Sequence, residues 1–131
     1  MRKAMIVLLA ALGGCMSEGS PTTALAPEAS AKAVGSPVRC IDPQQISARR
    51  VLGPSSLAFE VAGTTYRNDL TENCPGLGRG AQFKIIQLEV QGGQLCSGDS
   101  FQAYDPGEAR GVGSQAFPRC RLGAFTPIET R

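Results

Sequence analysis

The stretch "SLAFEVAGTTYRN", Ser56 to Asn68, decides the fold class. Leu57, Phe59 and Val61 alternate with Ser56, Ala58 and Glu60, the period of two expected of a strand with one buried face. Ala62-Gly63 interrupts the alternation, and "TTYRN" resumes with β-branched and aromatic residues. The pattern predicts a hairpin turning at Gly63. Gly53-Pro54 marks its front end, and "ISARRVL" before that is read as a first strand, although its alternation is poor.

The same scheme recurs in "FKIIQLEVQGGQLCSGDSFQAY", Phe83 to Tyr104. Ile86, Leu88 and Val90 share a face, Gln91-Gly92-Gly93 turns, Leu95-Cys96 begins a short strand, and Ser97-Gly98-Asp99 turns again into an extended Ser100 to Tyr104. Phe125 to Ile128 closes the set. Pro106 to Pro118, Gly-rich and polar, is read as a mobile loop. The chain has 16 Gly and 9 Pro, which suits short strands joined by turns better than helices. No helix of three turns is evident; a helical turn at Asp69 to Cys74 would make the fold α+β. The expectation is a mainly β domain, a small antiparallel barrel or meander of about six strands.

Composition excludes several functions. Lys plus Arg number 13 against 11 Asp plus Glu, with no run of like charge, so nothing points to nucleic acid. Histidine is absent, which removes imidazole-based triads, a His general base and His metal ligands.

The N-terminus has a different character. "MRKAMIVLLAALGGC" sets Arg2 and Lys3 before an apolar run from Ala4 to Leu12. That run is far short of the roughly 20 residues of a bilayer span, and the layout is that of an export signal. Leu12-Gly13-Gly14-Cys15 matches a bacterial lipobox. The match implies cleavage before Cys15, a diacylglyceryl thioether on its sulfur and acylation of the new amine, so that several chains anchor stably where one would not. The competing site after Ala24-Leu25-Ala26 fits A-x-A but lies too far beyond the apolar run. Met16, rather than Asp, follows the cysteine and implies sorting to the outer membrane, facing the periplasm. Residues 1–14 are therefore read as signal and 15–37 as the lipidated cysteine with a disordered Ala/Ser/Pro-rich tether spanning about 26 Å. Residues 38–131 are read as the folded domain.

With Cys15 assigned to the anchor, Cys40, Cys74, Cys96 and Cys120 remain, an even set in an oxidising compartment. They are widely spaced and lack the close pairs of a zinc site or of a C-x-x-C redox motif. Two disulfides are expected. Of the three connectivities, the nested one, Cys74–Cys96 within Cys40–Cys120, suits a meander whose ends meet. No cofactor or metal is called for.

Three clusters carry a family resemblance: Tyr66-Arg67-Asn68-Asp69-Leu70 with Cys74-Pro75-Gly76-Leu77; Leu95-Cys96-Ser97-Gly98-Asp99; and Cys120-Arg121-Leu122-Gly123-Ala124-Phe125-Thr126-Pro127. Together they resemble a family of small Gram-negative lipoproteins whose four-cysteine domain has no assigned function. The resemblance covers most of Val38 to Ile128. It implies one domain in the cell envelope and transfers no catalytic residue.

Candidate chemistry is sparse. Asp69, Glu72 and Asp99 would suit a small hydrolase if paired carboxylates were held with divergent pKa values. The competing reading makes Asp99 a turn residue and has Asn68 and Asp69 cap a turn through their side chains. Arg49, Arg50, Arg67, Arg79, Arg119 and Arg121, if clustered, would grip an anionic envelope component. The expectation is thus a membrane-anchored lipoprotein acting as a non-enzymatic binding or accessory module for an envelope protein or anionic component. The alternative is a carboxylate hydrolase using Asp69 and Asp99.

Overall fold

A computed structural model describes residues 27–77, 84–107 and 117–130. The signal segment, Cys15, residues 16–26, Arg79 and most of the loop expected at Pro106 to Pro118 lie outside the described residues. In chain order the strands are β1 (Cys40–Ile41), β2 (Ile46–Gly53), β3 (Ser56–Val61), β4 (Thr64–Asp69), β5 (Ile85–Leu88), β6 (Leu95–Cys96), β7 (Ser100–Tyr104), β8 (Cys120–Arg121) and β9 (Phe125–Pro127). Helical structure among the described residues is confined to two 3-10 turns, Pro27–Ser30 and Pro43–Gln45.

The fold is mainly β and every strand pair is antiparallel. It is a meander arranged as three small sheets, β2-β3-β4-β9, β5-β7-β8 and β1-β6, and no barrel closes among the described residues. The strands outnumber the six expected because β1 and β8, only two residues long, fall below what periodicity can register, whereas β6 is the short strand expected at Leu95-Cys96.

The quoted stretch forms the centre of the largest sheet. β3 and β4 pair from Val61↔Thr64 to Ser56↔Asp69 across a two-residue turn. Both turn residues have positive φ, Ala62 at 47° and Gly63 at 82°, the twist that hairpins of this length need. β2 pairs with β3 on the other side, with irregularities between Ile46 and Ala48 and between Val51 and Gly53. These shifts explain its poor alternation, because each slips the side-chain parity.

Leu57, Phe59 and Val61 enter the core beside Ile86, Leu95, Phe101, Leu122 and Phe125. Phe59 and Phe125 meet edge to face with centroids 5.7 Å apart, a favoured aromatic geometry. Arg49 Nη1 donates to the Ile86 carbonyl at 2.9 Å, tying β2 to the edge strand β5. Val90, expected on the buried face with Ile86 and Leu88, lies past the end of β5 and is exposed.

Two expectations are corrected. First, Ser56 and Ala58, read as solvent-facing, are 9 % and 1 % exposed. Their face is covered by the chain before Val38, which is a docked strap and not the second half of a tether. The Pro27–Ser30 turn lies against β2 and β3. Arg50 pairs with Glu28 at 3.1 Å, and Arg67 Nη1 donates to the Ala31 carbonyl at 2.6 Å. The Val34 amide donates to the Pro127 carbonyl, and Val38 exchanges both backbone bonds with Phe125. Residues 33–38 thus run antiparallel along β9, and the folded unit includes Pro27.

Second, the bridges are Cys40–Cys96 and Cys74–Cys120, interlocked rather than nested. The expected meeting of the chain ends does occur, but residues 33–38 and β9 make it. Cys40 is elsewhere, directly opposite Cys96 in the β1–β6 ladder.

Candidate functional site

Asn68 sits on the core-facing side of β4 and is fully buried. Its Nδ2 donates to the Gly123 carbonyl and its Oδ1 accepts from the Gly123 amide, both at 2.8 Å. A side-chain amide here replaces a missing strand partner, satisfying two backbone groups that would otherwise be buried without bonds. Asn68 is therefore a strand residue and not a turn cap. Gly123 is required by space, because a Cβ there would collide with the Asp69 carbonyl.

The neighbouring residues extend this knot. Leu122 accepts from the Gly98 amide at 2.8 Å and donates to the Asp99 carbonyl at 2.9 Å. Gly98 has φ 93°, a left-handed conformation open to glycine. Asp99 Oδ2 accepts from the Cys96 amide at 2.8 Å, closing the Ser97-Gly98 turn. Cys74 and Cys120 are bridged beside it. The segments of the three sequence clusters, far apart in the chain, thus meet at Leu122-Gly123.

The carboxylates do not form a shared site. Asp69 accepts from Ser56 Oγ at 3.2 Å and from Arg67 Nε at 3.0 Å, on the strap-covered face of the sheet. Asp99 holds its own turn. Glu72 is exposed in the segment after β4. Although Asp69 and Asp99 both flank Leu122-Gly123 through their main chains, their side chains have separate partners. No group of three or more His, Cys, Asp or Glu suited to a metal ion occurs among the described residues.

Among the described residues the arginines do not gather into one open patch either. Arg49 binds the β5 carbonyl, Arg50 and Arg67 hold the strap, and Arg119 pairs with Glu89 at 2.7 Å. Arg121 is exposed on β8. An open depression of about 810 Å³ lies between the strap and Glu129-Thr130, with Glu28, Lys32 and Glu129 giving it mixed charge.

The strap was missed because Ala, Ser and Pro dominate it and lack strand periodicity. The faint signal was on the sheet, where small Ala58 stands between Arg50 and Arg67 in register. A small residue flanked by two long cations leaves room for a covering segment whose carbonyls and carboxylate they can bind. No helix among the described residues is long and apolar enough to cross a membrane. No family model, curated protein or solved structure matches the chain.

Proposed function

We propose that the protein is a lipid-anchored lipoprotein of the bacterial cell envelope, held at the outer membrane and facing the periplasm. It acts there as a non-enzymatic binding or accessory module. The observation that carries this reading is the fifth cysteine. Leu12-Gly13-Gly14-Cys15 closes an apolar run behind two cations, and the two bridges use the other four cysteines, leaving Cys15 outside both. Bridges of this kind persist in an oxidising compartment. The docked strap adds a geometric consequence. Residues 16–26 alone separate the anchor from Pro27, and a fully extended chain of that length reaches at most about 40 Å. The domain would therefore work close to the lipid surface. The separate engagements of Asp69 and Asp99 lend no support to the carboxylate hydrolase.

Intact mass of protein extracted from membranes tests the reading. The expected species begins at Cys15 and carries the added acyl mass, and Cys15→Ser moves the protein to the soluble fraction. A soluble wild-type protein beginning downstream of Ala26 overturns it. Crosslinking in cells, with identification of the partner, then distinguishes a protein ligand from an anionic envelope component.

A further inference from the structure

The two disulfides differ in burial. Cys74 and Cys120 are 2 % and 9 % exposed and belong to the core. Cys40 and Cys96 are only partly buried, and Arg39, Asp42 and Gln94 around them are exposed. The cause is strand parity. In the β1–β6 ladder Ile41 stands opposite Leu95 and Cys40 opposite Cys96. Successive side chains point to opposite faces, so the buried Ile41 and Leu95 face the core and the two sulfurs face outward.

The geometry points to Cys40–Cys96 as a thiol–disulfide exchange site whose co-substrate is a dithiol. Exposed bridges are the labile ones, because the attacking thiolate must reach a sulfur along the S–S axis. One thiolate of the dithiol would attack a sulfur of the pair, forming a mixed disulfide and expelling the other cysteine as a thiolate. The second thiol of the dithiol would then attack the mixed disulfide. Two electrons and two protons pass to the protein, which ends as Cys40–SH and Cys96–SH, and the dithiol ends as a disulfide.

Opening this bridge need not unfold the domain. Ile41 and Leu95 remain packed beneath it, the Ser97 amide still donates to the Arg39 carbonyl at 2.8 Å, and Val38 stays doubly bonded to Phe125. What is released is the cross-link between the entry to β2 and the Leu95–Asp99 turn. The Cys74–Cys120 bridge has no such access while the core is closed.

The test uses the full chain with any free thiol first blocked by N-ethylmaleimide. The protein is treated with dithiothreitol without denaturant, quenched with iodoacetamide at intervals, and mapped by peptide mass. Cys40 and Cys96 should become alkylated together, at least about ten-fold faster than Cys74 and Cys120, whose exposure must wait for opening of the core. Circular dichroism should retain the native spectrum while only the first pair is modified. Equal rates for the two bridges, earlier opening of Cys74–Cys120, or loss of the native spectrum as Cys40–Cys96 opens each overturns the proposal.

Discussion

The two halves of the molecule are held together differently. In the β2–β3–β4 half, neighbours in sequence are neighbours in space, joined by two-residue turns, and the strands are six to eight residues long. In the half containing β1 and β5 to β8, strands run from two to five residues. There β1 must find β6 with a separation of 56 residues between the bridged cysteines. Short ladders at long separation carry a loop-closure cost that few backbone bonds offset. Both bridges lie in or lead into that second half, where the ladder is weakest. Covalent cross-links thus do there what local turns do in the hairpins.

The largest expected effect tests this division. Replacing Cys74 and Cys120 together by Ala removes the buried bridge, which closes a separation of 46 residues. It is expected to cost about 4 kcal/mol in the chain-entropy model, read from the urea midpoint. Chemical shifts or exchange protection should collapse first in β5, β7 and β8 while the β3–β4 hairpin persists longest. A uniform loss across both halves, or a cost below about 1 kcal/mol, would break the contrast.

Asn68 is where the halves are sewn together without a covalent bond. Asn68→Leu keeps the side-chain size but leaves the buried Gly123 amide and carbonyl without their partners. The expected cost is about 3 kcal/mol, from two desolvated backbone groups, measured by thermal or urea unfolding. Asp69→Asn, one residue along on the opposite face, is the control. Its pairing with Arg67 is partly exposed, so its loss should cost under about 1 kcal/mol. Comparable losses for the two would mean that the seam does not depend on the Asn68 amide.

The same division explains what was legible in the sequence. Ser56 to Asn68 announced both strands and their turn because every signal lay within a few residues. The turns at Gly92-Gly93 and Ser97-Gly98-Asp99 were legible for the same reason. The cysteine pairing was not, since it follows from β1 meeting β6, and two-residue strands have no period to read. Asn68 was misread for a related reason. An amide next to Asp in a Gly-poor stretch resembles a cap, and only its partner, Gly123, reveals a buried strand residue. The lipidation proposed at Cys15 rests on local residues alone, and for that reason it can be proposed from the sequence without any fold.

The strap belongs to neither half, and the smallest prediction concerns it. It lies over the middle of the outer face of β2 and β3 and continues along β9, burying Ser56 and Ala58 while Glu60 and Asp69 at the margins stay open. Its bonds are of three kinds: peripheral ion pairs such as Glu28 with Arg50, the bond from the Arg67 guanidinium to the Ala31 carbonyl, and backbone bonds such as Val34 to Pro127. Glu28→Gln removes only the first kind. Both partners are partly exposed, so the global cost should be about 0.5 kcal/mol, near the limit of an unfolding curve. Hydrogen exchange is the sharper measurement, because a weak attachment opens locally before the fold does. Protection of the Val34 amide should fall while that of the Phe59 amide stays unchanged, since β3 is held on both sides by β2 and β4. If both fall together, strap and sheet open as one cooperative unit, and the strap is as integral to the domain as its central hairpin.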